Sequence, residues 1–105
     1  MATIARHIIV RASPDKAAEV VRLWKQECGP LMRQQPGCLR EELLRCREDP
    51  GEFISVAEWE SEAAIQNYLR SPAHEEIKRA TRGLTGMAAT VKTYELVAEE
   101  AGATR

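Results

Sequence analysis

Residues 53–59, Phe-Ile-Ser-Val-Ala-Glu-Trp, are largely apolar on both parities: Phe53, Ala57 and Trp59 share one with Ser55, while Ile54 and Val56 share the other with Glu58. A β-strand sends successive side chains to opposite faces, so a strand of this kind needs cover on both. Residues 4–11 repeat the demand, with Ile4, Ile8 and Val10 on one parity and Ala5, His7 and Ile9 on the other. A chain of 105 residues forms one domain. Its central strands therefore ask for more cover than one layer of helices supplies.

The rest of the chain reads around these two strands. Ser13-Pro14-Asp15 opens a helix whose stripe is Ala17, Val20, Val21, Trp24, Cys28 and Leu31; Ser13 is its expected cap, Gly29-Pro30 should kink it and Pro36-Gly37 stops it. Cys38 to Cys46 alternates less cleanly and suits an edge strand, and Glu48-Asp49-Pro50-Gly51 turns it back into Phe53–Trp59 as a hairpin. Ser61 caps a helix carrying Ala64, Ile65, Tyr68 and Leu69, and Ser71-Pro72 starts a second one that runs to Arg82. Gly83 ends it, a loop around Gly86 follows, and Met87 to Val97 is the last strand. The domain spans residues 1–98, and 99–105 is a small polar tail that frays.

The order βαββαβ predicts an α+β, ferredoxin-like fold: a four-stranded antiparallel sheet in the order 4-1-3-2, with both helical segments on one side. The doubly apolar strands become central and the charged ones become edges. The uncovered face of the sheet is then expected to pair with a second copy, giving a homodimeric α/β barrel with a pocket in each subunit between sheet and helices.

Composition narrows the partners. Net charge is −1, and basic and acidic residues are interleaved, which offers no basic patch for nucleic acid. No segment has the length of a membrane span and the amino terminus lacks a secretory pattern, so a cytoplasmic protein with small-molecule partners is expected. Cys28, Cys38 and Cys46, with only two histidines, have no metal-ligand or redox spacing and read as free thiols. No metal or other cofactor is expected.

Glu58-Trp59-Glu60-Ser61-Glu62-Ala63-Ala64, then Tyr68-Leu69-Arg70-Ser71-Pro72-Ala73-His74, with Pro36-Gly37-Cys38 before the second strand, resemble the antibiotic biosynthesis monooxygenase family of the dimeric α/β-barrel superfamily. The resemblance implies a cofactor-independent monooxygenase that oxidises a small quinol-like or polyketide-like aromatic with O2. Trp59 matches the tryptophan ending the third strand in polyketide-oxidising members. Ser55, Ile65 and Lys78 stand where those enzymes have asparagine, tyrosine and arginine. Tyr68 and Ala73 replace histidines of quinol-oxidising relatives, and His74 is one residue late. The alternatives are a non-catalytic binding or accessory dimer and a haem-binding or haem-degrading protein.

Cofactorless oxygenation needs a base or hydrogen-bond donor at an acidic substrate oxygen, a dry pocket and aromatic walls. The candidates are Trp59, Tyr68, His74 and His7. Trp59 suits either a core position or a pocket wall with an oriented indole N–H. His74, in a helix's first turn, is kept neutral by the dipole as a base or is simply exposed. Tyr68 has its ring in the core and its hydroxyl toward the cavity. His7 lines the pocket or, with a one-residue change of face, lies in the dimer core. Arg40 and Lys78 are candidate oxyanion partners, and Cys28 reads as core packing.

Overall fold

The computed structural model describes residues 3–82 and 89–100. Four strands, β1 (Ile4–Arg11), β2 (Cys38–Arg45), β3 (Glu52–Trp59) and β4 (Thr90–Glu95), form one antiparallel sheet in the order β2-β3-β1-β4. This is the expected 4-1-3-2 arrangement. Within the chain the sheet is open, with β2 and β4 as its two edges. The last strand is shorter than expected, although the Leu96 amide still donates to the Thr3 carbonyl at 2.9 Å beyond its end. The expected roles of Gly83, Gly86, Met87 and Ala88 lie outside the described residues.

The first helical segment departs from the expected stripe. A 3-10 turn (Pro14–Lys16) leads into α1 (Ala17–Leu23), a π turn (Trp24–Cys28) and α2 (Gly29–Arg33). Ser13 is extended but its side chain caps no amide. Pro30 does not break the helix, because the Gly29 amide reaches back to the Trp24 carbonyl and the widened turn accommodates the residue that cannot donate. The buried positions are Val20, Leu23, Cys28, Gly29 and Met32, whereas Trp24 and Leu31 are only partly buried. One extra residue in the π turn has rotated everything after it by about a third of a turn.

The second segment follows its capping chemistry. The Ser61 hydroxyl accepts from the Ala64 amide at 3.1 Å to start α3 (Glu62–Leu69). The Ser71 hydroxyl accepts from the His74 amide at 3.2 Å and donates to the Tyr68 carbonyl at 2.7 Å, joining α3 to α4 (Pro72–Thr81). Gly37, before β2, has φ +85° and passes so close to α3 that a Cβ would lie 2.5 Å from that of Ala64.

All helical segments lie on one face of the sheet. Met32, Ala57, Trp59, Ala64, Ile65 and Tyr68 form the larger core cluster, with Ile4 against it, and Ala12, Val20 and Phe53 form the smaller, with Val10 against it. The parity of Ile4, Arg6, Ile8 and Val10 thus faces the helices, together with Phe53, Ser55, Ala57 and Trp59. The opposite face carries Ala5, His7, Ile9, Ile54, Val56, Leu44 and Tyr94, and no helix among the described residues covers it. Leu44 and Tyr94 are about half exposed, at 48% and 49%. Single-layer cover leaves this much apolar surface in water.

Candidate functional site

Trp59 ends β3 on the helix-facing side and is fully enclosed, at 0% exposure. Tyr68 comes down from α3, its ring centroid 5.2 Å from the indole, because Ala64, Ile65 and Tyr68 occupy the buried stripe of that helix. His74, set in the first turn of α4 by the Ser71 cap, meets Tyr68 edge-on at 5.0 Å. Three of the four expected residues therefore form one continuous aromatic chain. His7 stands apart on the opposite face, where its ring lies 4.8 Å from Tyr94. Its parity places it on the face away from the helices.

The polar atoms of this interior are unevenly satisfied. Among the described residues the Trp59 indole N–H is buried without a hydrogen-bond partner, and so is Oε2 of Glu41, a residue only 6% exposed. The Ser55 hydroxyl donates to Glu41 Oε1 at 2.8 Å. Burial pushes the Glu41 carboxyl up to about 7, opposed by Ser55, the Glu42 amide, the nearby indole of Trp24 and the charge of Arg6. Glu41 and Arg6 lie opposite Ala57 from its two sides, so Arg6, Ala57 and Glu41 make one rung across β1, β3 and β2. Trp59 and Ser55 are the next residues of β3 on the same face. Half-buried Arg6 forms no hydrogen bond or ion pair among the described residues, yet its charge is felt by Glu41, Tyr68 and His74.

Burial lowers the pKa of His74 below its ordinary value and so favours the neutral ring. Its Nδ1 lies 3.2 Å from the Leu69 carbonyl; a carbonyl only accepts, so Nδ1 carries the proton and Nε2 keeps its lone pair. Burial raises the Tyr68 hydroxyl well above its usual range and leaves it a neutral donor. Cys28 is buried and pushed up to about 11, an inert thiol. Arg40 pairs with Glu58 at 3.3 Å, on the face away from the helices, and Lys78 pairs with Glu75 at 3.2 Å.

Two cavities lie away from this chain of rings. One, of about 250 Å³, is lined by Val21, Trp24, Lys25, Leu43, Arg45 and Phe53, between the first helical segment and the β2–β3 hairpin. The other, of about 310 Å³, lies by β4 and includes Ala5, Glu58 and Tyr94. Among the described residues, His, Cys, Asp and Glu form no group of three placed to hold a metal ion, and no helix is long and apolar enough to cross a membrane.

Glu41 and Arg6 were not among the expected site residues. A bulge explains Glu41: Cys38 and Glu41 are three apart in sequence but lie opposite Trp59 and Ala57, which are two apart, with the irregularity between Cys38 and Arg40. Parity counted from Cys38 puts Glu41 on the wrong face. For Arg6 a signal was present, since it shares the parity of Ile4 and Ile8 on a strand that is otherwise apolar there.

The sequence model of the antibiotic biosynthesis monooxygenase family matches residues 3–80. The chain belongs to this family. No curated protein matches it. Among solved structures it is similar to a Deinococcus radiodurans protein provisionally named as such a monooxygenase (TM-score 0.80, 22% identity, covering 96% of this chain and 98% of that one). A Bordetella bronchiseptica protein named in the same way gives a TM-score of 0.84 at 19% identity, over 93% and 100% of the two chains. A Nitrosomonas europaea protein of unknown function gives 0.78 at 19%, over 99% and 98%. At these identities the likeness shows a shared fold.

Proposed function

We propose that the protein is a cofactor-independent monooxygenase that oxidises a small quinol-like or polyketide-like aromatic with O2, working as a homodimer. The observation that carries this reading is the pair of unpartnered buried polar atoms, Trp59 Nε1 and Glu41 Oε2, on the face of the sheet that also carries the Trp59–Tyr68–His74 rings. Buried polar groups left unpaired are costly. A donor and an acceptor held in an apolar, aromatic setting suit a flat ring bearing a hydroxyl.

In this chemistry the substrate loses a proton, the resulting phenolate or enolate gives one electron to O2, and the radical pair combines at a ring carbon as a peroxide. That carbon, a CH2 in the keto form, ends as C=O with loss of one water, so one oxygen atom enters the product and the other leaves as water. Trp59 contributes a wall and an oriented donor to the developing oxyanion. Tyr68 closes the aromatic wall, and His74 offers a neutral acceptor at its edge through Nε2. His7 belongs to the uncovered face, where Ile9, Ile54, Val56, Leu44 and Tyr94 are proposed to meet the same residues of a second chain and complete a barrel of two sheets.

The mismatched positions Ser55, Ile65, Lys78, Tyr68 and Ala73 favour a second reading, a small-molecule-binding or accessory dimer without catalysis. Oxygen uptake by metal-stripped protein, measured over hydroquinones, anthrones and naphthols and corrected for spontaneous oxidation, separates the two. Saturable uptake that falls at least about tenfold in Trp59→Phe and His74→Ala is expected of the enzyme. Tight binding of a panel member without uptake would mark the binding protein.

A further inference from the structure

We propose that Glu41 is the base that takes the hydroxyl proton of the aromatic substrate, with Arg6 and the Trp59 indole N–H holding the phenolate that results. The proposal rests on the oxygenase reading above and assigns its proton acceptor. Three observations carry it. First, the free oxygen of Glu41 and the free N–H of Trp59 belong to neighbouring rungs on one face, and both are buried. Second, Arg6 reaches the same rung from the other side. With strands about 4.8 Å apart, its Cα and that of Glu41 are separated by about 10 Å, and only the methyl group of Ala57 stands between two long side chains. Third, the two charges are not spent on each other: no ion pair joins them, and Arg6 has no other partner among the described residues.

A half-buried cation, a buried acid and an unpaired donor on neighbouring positions of one sheet face lack what an ionisable hydroxyl would bring. Glu41 suits proton removal better than His74 does. It is enclosed on the helix-facing side of the sheet, whereas His74 is only half-buried on α4, and dry surroundings strengthen each charge interaction. Burial already places its carboxyl close to neutral pH, where a general base is most effective.

The step balances without an electron. The substrate O–H bond breaks, an O–H bond forms at Glu41 Oε2, and the negative charge stays on the ring oxygen beside the guanidinium. Glu41 returns the proton to the peroxide anion formed when the radical pair combines.

The test uses 2-naphthol, whose absorption distinguishes the naphthol from the naphtholate and which needs no turnover to report. At pH 7 the wild-type protein is expected to bind it as naphtholate. Glu41→Gln should weaken binding at least about tenfold and leave the bound ligand neutral. Arg6→Met should lose the anion signature and Arg6→Lys should partly restore it, while 2-methoxynaphthalene, which has no proton to give, should bind at least about tenfold more weakly. Circular dichroism shows that each variant is folded, and Glu41→Asp serves as a second probe if Glu41→Gln is not. Failure of wild-type protein to bind 2-naphthol, a neutral ligand on wild type, or an unchanged naphtholate spectrum on folded Glu41→Gln overturns the proposal. Oxygen uptake is read separately. Uptake retained in Glu41→Gln removes the base assignment and leaves the oxygenase, whereas bound naphtholate without uptake of oxygen by any panel member removes the oxygenase and leaves the site.

Discussion

Replacing Glu41 by glutamine should change how stability depends on pH, and the size of the change follows from one buried carboxyl. Folding raises this group from 4.5 to about 7. Between those values the folded chain keeps a proton that the unfolded chain has lost, so the contribution to stability is fully present below about pH 4.5 and is lost as pH rises through 7. With 1.4 kcal/mol for each pH unit in that window, wild-type protein should lose about 2.5 kcal/mol from this group between pH 5 and pH 8. Glutamine keeps an oxygen to accept from Ser55 but does not titrate. The amide NH2 that replaces Oε2 has no acceptor among the described residues and costs on the order of 1–2 kcal/mol, at every pH alike. The comparison is therefore a slope and not an offset. Urea unfolding followed by tryptophan fluorescence at pH 5, 6, 7 and 8, at one protein concentration, should show the variant gaining about 2.5 kcal/mol on wild type across the range. His74 titrates in both proteins and cancels. Parallel stability curves would refute the burial argument for Glu41.

Three further outcomes follow from local geometry. Ser71→Ala removes both the cap on the His74 amide and the bond to the Tyr68 carbonyl; it should cost about 1–2 kcal/mol by urea unfolding, more than Ser61→Ala, which loses one bond. Gly37→Ala meets a left-handed backbone and the Cβ of Ala64 together, and a loss of roughly 2–4 kcal/mol is expected, visible as a lowered denaturant midpoint. Val56→Asp places a charge in the middle of the face away from the helices. Light scattering should report a monomer where wild type gives a dimer, and an unchanged mass would remove the face-to-face dimer.

Much of the fold was legible because it depends on local rules that the sequence states directly. Alternation over residues 4–11 and 53–59 marked the two central strands, Ser61 and Ser71-Pro72 marked two helix starts, and strand order followed from which strands carried charge. Family resemblance came from the same stretch, residues 58–74, where strand end, cap and second helix are set by short-range chemistry. Trp59, Tyr68 and His74 were found together for that reason: they lie on consecutive elements, within a few turns of one another along the chain.

Other features depended on contacts that no local pattern encodes. The sequence marks Gly29-Pro30 as an interruption, but only the packed helix shows a π turn absorbing the proline and turning Met32, not Leu31, toward the core. The face occupied by His7 required the packing of Ile4 and Val10 against the helices. Glu41 is the clearest case, since a bulge near the start of β2 reversed the parity that would have revealed it, and its altered proton affinity arises from burial by residues distant in sequence. Periodicity and capping are written residue by residue and determine which elements form. Register, burial and the meeting of Arg6 with Glu41 across Ala57 are properties of strands brought together from three parts of the chain, and only tertiary structure decides them.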